Sequence, residues 1–258
     1  MQTAVNDDDL GAALLAAWRT RDTLPSEGWP ALDASRIGAI QEMVVAGLDG
    51  QPRPGFWKSG GPRREAAALG HSPLPREHVR QALGGETIDM RTCWLPACGI
   101  EAEIALRLGR DVSPALAADL DLTSARALVD GMAIAAELTA SRWCEAGAAP
   151  EALRQADLAS HGALILGPWL TSAPRDWGRQ ACWVEIEAQP RLQRRGSHAL
   201  GDPFWLLPHW LRHATRHGHS VAAGTVVTTG SWTGTLPLAT GRKASLGFEG
   251  LGTLTVQR

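Results

Sequence analysis

Residues 98–108 read Cys-Gly-Ile-Glu-Ala-Glu-Ile-Ala-Leu-Arg-Leu, an apolar and small-residue run interrupted by two acids. The alternation from Ile100 to Leu108 has the period of a β-strand, which puts Glu101 and Glu103 on one face, about 7 Å apart at the backbone. Two like charges that close repel unless they face water or share a cation. A solvated strand face meets that condition. The flanks, Cys98-Gly99-Ile100 and Ile104-Ala105-Leu106, point instead to burial, and two buried unpaired carboxylates are too costly to keep. A metal or an arginine must then compensate. Glu137, within the apolar segment 132–138, is a third acid in an improbable place. Three carboxylates suit a hard dication, Mg2+ or Mn2+, with water or substrate oxygens completing the shell.

Composition narrows the rest. The 258 residues are 44% hydrophobic and 20% charged, as in an ordinary globular protein with a sizeable core. A net charge of −2 argues against electrostatic capture of nucleic acid or of an anionic membrane. No apolar run approaches the roughly 18–20 residues of a membrane span. The stretch Met1–Asp9 is acidic, so no signal peptide is expected, and the four cysteines (93, 98, 144, 182) are expected to be reduced thiols in a cytoplasmic protein. Eleven tryptophans and three phenylalanines accompany no tyrosine at all, so no phenol is available for proton transfer.

Helices are expected over Asp9–Arg21 and Asp33–Leu48, the second capped by Asp33 or Ser35 and ended by the 49–55 turn sequence. This defines an N-terminal helical region, 1–50, ahead of a domain at 51–258. Further expected elements are a helix over Thr123–Met132, an extended Ala133–Thr139, and strands at His161–Leu166 and Cys182–Ala188. A helix is expected to open at Asp202-Pro203 and run to about His217. Short strands follow at Thr225–Thr229, Lys243–Phe248 and Gly252–Val256. Strands mixed with a few helices, without βαβ repetition, indicate an α+β fold.

The segment Gly99–Asp111 resembles the metal strand of the fumarylacetoacetate hydrolase superfamily. The likeness continues through Glu137 with Ser141-Arg142-Trp143, then Ala156-Asp157, Ser160 to Gly167, Gly196 to Pro203, Gly224 to Gly234 and Phe248 to Gly252. It implies a mixed β-sheet roll or barrel of the fumarylacetoacetase C-terminal type, with Glu101, Glu103 and Glu137 as metal ligands. Glu137 upstream of Ser141-Arg142, and Thr-Gly-Ser-x-Thr-Gly at 229–234, are similar to the 2-keto-4-pentenoate hydratase and 4-oxalocrotonate decarboxylase branch. The implied activity is a Mg2+- or Mn2+-dependent lyase, hydratase or decarboxylase, acting on a small 2-oxo or 2-hydroxydienoic acid from aromatic breakdown. The implied ion stabilises an enolate as a Lewis acid. Competing readings are an acylpyruvate-type C–C bond hydrolase and a non-catalytic partner subunit.

By the same resemblance Lys58 stabilises charge or transfers a proton near substrate, Ser160 is a catalytic residue that hydrogen-bonds substrate or water, and Lys58, Ser160, Leu106 and Thr233 contact substrate. A homo-oligomer, and association with another pathway enzyme, are family-level expectations. The chain departs from the family at Lys58-Ser59-Gly60-Gly61-Pro62, at Ala140 and at Leu158. It also departs near His71, where hydratases carry an Asp; His71 is the nearest titratable group and the expected acid or base. His209, His213 and His217 recur at helical spacing, which allows zinc. No Glu lies between them, however, and Arg212 and Arg216 flank the stripe, so an exposed or interface face is expected. Arg191, Arg194 and Arg195 read as a surface loop.

Overall fold

The computed structural model describes residues 7–50, 54–65, 67 and 69–258. The start of the acidic N-terminal run and residues 51–53 of the expected turn sequence lie outside that range. Two helices come first, α1 (Asp7–Thr20) and α2 (Ala34–Asp49). Asp33 caps α2 by accepting from the Arg36 amide at 2.9 Å, and Gly50, in the left-handed region at φ 63°, closes it by donating to the Ala46 carbonyl. Leu10, Leu14 and Trp18 of α1 and Ile40 and Val44 of α2 share a core with Trp143, Leu153 and Leu158. The helical region is therefore packed onto the rest of the chain.

Strands β1 (Phe56–Gly60), β2 (Gly70–Leu74), β3 (Val79–Gln81), β4 (Thr87–Asp89) and β5 (Gly99–Leu108) follow. Then come α3 (Pro114–Ala118), α4 (Leu122–Arg126), β6 (Val129–Thr139), α5 (Glu151–Ala156), β7 (His161–Leu166) and β8 (Leu170–Thr171). The chain ends with β9 (Ala181–Ile186), β10 (Leu192–Arg195), α6 (Leu207–Ala214), β11 (Val226–Thr228), β12 (Leu236–Pro237), β13 (Lys243–Phe248) and β14 (Gly252–Gln257). A nine-stranded mixed sheet runs β2-β1-β11-β5-β6-β7-β3, with β12 also on β5 and β8 on β6. A five-stranded sheet runs β10-β9-β13-β14-β4. The main core lies between them, joining Ile100, Ile104 and Leu106 of β5 to Val184, Leu246 and Val256 of the smaller sheet. The result is the α+β architecture expected from the element pattern. No described helix is long and apolar enough to cross a membrane, and all four cysteines are free thiols.

Two expected helices differ. The helix expected over Thr123–Met132 stops at Arg126, and β6 begins at Val129. Pairing with β5 from Gly99↔Thr139 to Leu108↔Val129 captures the rest, because a long ladder outweighs a weak local preference. The helix expected to open at Asp202 starts at Leu207, and Pro208 rather than Pro203 occupies its first turn. Asp202 is engaged elsewhere: its Oδ1 accepts from the Phe204 amide at 2.9 Å and its Oδ2 accepts from Arg126.

Candidate metal centre and its cleft

β5 and β6 pair so that Glu101 lies opposite Glu137. Glu103, two residues along β5, points to the same face. One oxygen from each of the three carboxylates lies within 4.8 Å of the others. Glu103 and Glu137 are buried and Glu101 is half-buried.

Each acid has its own partners. Glu101 accepts from the Thr235 hydroxyl. Glu103 accepts from the Thr228 hydroxyl and, at 3.0 Å, from the Gly230 amide. Glu137 accepts from Lys58, and its Oε1 is 3.4 Å from Nδ1 of the buried His161. Glycines permit this crowding. A Cβ on Gly99 would stand 2.2 Å from the Thr235 methyl, and one on Gly60 would press on the Gly230 backbone at 3.3 Å. The compensating cation within the protein is thus a lysine, not the arginine that the sequence left open.

Lys58 Nζ also donates to the Ala159 carbonyl at 3.0 Å. Ala159 is the middle of three successive non-glycine residues in the left-handed region, Leu158, Ala159 and Ser160, at φ 47°, 52° and 58°. Such a run is costly and persists only when its surroundings hold it. Asp157 anchors it: its carbonyl accepts from the Ser160 amide at 2.8 Å, and its carboxylate binds Arg142 Nε at 2.6 Å with both side chains fully buried. The Arg142 guanidinium lies over the Trp18 ring at 4.1 Å, tying the turn to α1.

Electrostatics separates the acids. Burial, then the charges of Glu137 and Glu101, push Glu103 well above the usual carboxylate range. Burial and the Glu137 charge raise Glu101 as well. Burial also acts to raise Glu137, but the neighbouring Lys58 charge and the His161 contact bring it down to about 2. Burial would lower Lys58, yet Glu137 and Glu101 outweigh it and hold the amine above its usual value. Three carboxylates therefore face one ammonium. The excess negative charge, the all-oxygen donor set and the short separations fit a hard divalent cation.

The site forms the floor of a cleft of about 710 Å³. α2 contributes Ile37, Gly38 and Gln41 to one wall, and His71 of β2 and His213 of α6 line another part. A hollow of similar size, about 730 Å³, lies on the five-stranded sheet beside Arg194, Arg195 and Glu249. It holds no group of three metal-ligating side chains; among the described residues that arrangement occurs at the three glutamates.

The structure brings Lys58, His71 and the three glutamates to this cleft. Ser160 is half-buried in the left-handed turn, where its carbonyl accepts from the Ala140 amide at 2.9 Å, and its neighbour Ala159 lines the cleft instead. The pleat turns Leu106 to the opposite face of β5, into the main core. Thr233 Oγ1 accepts from the Ala102 amide at 3.3 Å, holding its loop against β5 between the two glutamates. His71 pairs across the ladder with Ser59 rather than Lys58, and its Nδ1 is 2.8 Å from Ser59 Oγ. Burial, more than nearby His209 and Arg216, lowers its pKa to about 4, so at neutral pH it holds no imidazolium to act as an acid. The histidine stripe is not uniformly exposed either. His217 faces solvent beside Glu42, whereas His213 turns inward onto His71 with ring centroids 4.7 Å apart.

Sequence reading missed Thr228, Gly230, Thr235 and His161, the partners of the glutamates. Gly230 lies within the 229–234 motif, and Thr228 and Thr235 flank it, so the motif marked the loop without assigning these residues a role.

Residues 79–257 match the family described as fumarylacetoacetate (FAA) hydrolase C-terminal, which is most of the chain. The chain belongs to that family. Among solved structures, this member of the fumarylacetoacetate hydrolase family is similar to 4-oxalocrotonate decarboxylase from Pseudomonas putida G7 complexed with magnesium and adipate. The TM-score is 0.80 at 18% identity, covering 96% of this chain and 95% of that one. A second structure of that enzyme, complexed with calcium and acetate, gives a TM-score of 0.79 at 18% identity, again covering 96% and 95%. Fumarylpyruvate hydrolase from Pseudomonas aeruginosa, in complex with Mn2+ and pyruvate, gives 0.55 at 15% identity, covering 78% of this chain and 88% of that one. At such identities the likeness establishes the shared fold. No curated protein matches the sequence.

Proposed function

We propose that this fumarylacetoacetate hydrolase family member is a divalent-metal-dependent lyase acting on a small 2-oxo or 2-hydroxydienoic acid such as 2-keto-4-pentenoate. The observation that carries the reading is the convergence of Glu101, Glu103 and Glu137 beside Lys58 at the floor of a cleft. The three glutamates would hold Mg2+ or Mn2+. When bound, such an ion supplies positive charge where a chelating 2-oxo carboxylate builds up negative charge.

The protein's own groups do the rest. Lys58 is fixed by Glu137 and the Ala159 carbonyl. Its raised pKa keeps it an ammonium, so it serves as a fixed positive charge near developing oxyanion character rather than as a base. Thr228, Thr235 and the Gly230 amide orient the acids before substrate arrives, which removes reorganisation from the reaction. His71, neutral at pH 7, is available as a hydrogen-bonding group or proton acceptor at the cleft wall.

The test is a metal-dependent product assay. Conversion of 2-hydroxypenta-2,4-dienoate to a 4-hydroxy-2-oxo acid, abolished in Glu103→Gln, supports a hydratase, and CO2 release from a 2-oxo-enoic diacid supports a decarboxylase. Release of pyruvate and an acid from an acylpyruvate, without turnover of either of the others, replaces the lyase reading by a hydrolase one. Absence of any turnover, with the metal shown to bind, leaves the non-catalytic partner subunit as the better reading.

A further inference from the structure

The cleft is charged at its floor, and one stretch of its wall is formed by two imidazoles. His71 and His213 stand ring to ring at 4.7 Å with their planes 38° apart. Ser59 braces the first through Nδ1 at 2.8 Å, and the Trp57 ring meets the second edge-on at 6.0 Å. Burial is the main influence on both, lowering His71 to about 4 and His213 to about 3, so the pair is uncharged at pH 7.

The guanidiniums bordering this region are engaged. Arg63, which lines the cleft, donates through Nε to Glu65 at 2.8 Å. Arg216 is paired with Glu42, and Arg64 donates to the Leu200 carbonyl at 2.5 Å. Glu151 adds a carboxylate to the same lining. His71, His213 and Glu151 share this lining with the three glutamates, and each guanidinium named above already holds an acceptor of the protein.

We propose that the His71–His213 pair receives the far end of the substrate and selects 2-oxo monocarboxylates with an uncharged tail over 2-oxo dicarboxylates. The proposal rests on the functional reading above and deepens it by naming the substrate class. A second carboxylate placed there gives up hydration without gaining a partner, whereas an uncharged tail does not.

Calorimetric titration of the full chain with excess Mg2+ at about pH 7.5 decides it. The ligands are oxalate, 2-oxohexanoate and 2-oxoadipate, the last two differing in charge at the far carbon. The expected result is 2-oxohexanoate binding tighter than 2-oxoadipate by about tenfold or more. Equal or tighter binding of 2-oxoadipate overturns the proposal. His213→Lys, or His71→Lys should the first fail to fold, is expected to narrow the gap severalfold. An unchanged gap in a variant with native circular dichroism overturns the assignment to this pair. Oxalate has no tail and reports on the floor alone. If it fails to bind in a Mg2+-dependent way, the functional reading falls and this one with it; if it binds while the preference between the other two is reversed, only the wall assignment falls.

Discussion

Glu101 and Glu137 are direct partners across the β5–β6 ladder, two carboxylates where a sheet ordinarily pairs opposite charges or apolar groups. The arrangement strains the metal-free protein and prepares it for a cation. Glu103, whose pKa is raised, bears most directly on that strain. A carboxyl raised on folding contributes fully below its unfolded pKa, and that contribution is lost as pH rises through its folded value. Metal-free protein at pH 8 therefore carries the penalty.

Glu103→Gln should leave the metal-free protein at least as stable as wild type at pH 8. Mg2+ should raise the melting temperature of wild type, with a stabilisation of about 2.7 kcal/mol at a hundredfold excess over Kd, and should not raise that of the variant. Differential scanning calorimetry with Mg2+ and with EDTA checks both. Equal Mg2+ stabilisation of the two proteins would count against the site.

Thr228 donates to Glu103 from the neighbouring strand β11. Thr228→Val keeps the shape and removes the hydroxyl, and is expected to weaken Mg2+ binding by roughly 10- to 100-fold, read by titration calorimetry. Unchanged affinity would show that Glu103 needs no orienting partner.

Lys58→Met should retain Mg2+ binding while lowering kcat by about 10²- to 10³-fold, since the change removes positive charge at the reacting end and leaves the three carboxylates in place. Steady-state kinetics on the substrate identified by the product assay, alongside metal titration, separates the two effects. Loss of metal binding in this variant would move Lys58 from chemistry to site assembly.

The Arg142–Asp157 pair is fully buried, with Arg142 also donating its backbone amide to the carboxylate at 2.9 Å. Asp157→Asn leaves a buried guanidinium without its counter-charge and should destabilise the fold by about 3–5 kcal/mol, measured by urea unfolding. The turn that presents the Ala159 carbonyl to Lys58 hangs on this pair, so residual activity in the folded fraction should fall as well.

His71 and His213 are held neutral, their pKa values lowered to about 4 and about 3. Between those values and the ordinary histidine pKa near 6.5 the unfolded chain binds more protons than the folded one. Stability should therefore fall as pH drops from about 6.5 toward 4. His213→Asn should flatten that slope in melting temperature measured across pH, and an unchanged slope would remove His213 from the account.

Several features are local enough to be visible in the residues themselves. Alternation along 99–108 follows from covalent geometry, so the placement of Glu101 and Glu103 on one strand face needs no partner to be inferred. Asp33 and Gly50 likewise mark the ends of α2 by chemistry confined to a few residues. The burial of Glu137 within 132–138 was equally legible, because a lone acid in an apolar run has to be compensated.

What the residues did not reveal depends on pairing between distant segments. Helix preference in 123–132 gives way to the β5–β6 ladder. Thr228, Thr235 and His161 become partners of the acids only after β11, the loop before β12 and β7 join the same sheet. His213 turns inward because α6 packs over β1 and β2, which its own i, i+4 spacing cannot report. The linear chain determined which side chains carry charge and the direction in which a strand or helix displays them. The tertiary structure decided which of those charges meet, because strand register and helix docking are set by burial of the whole apolar surface and not by any one segment.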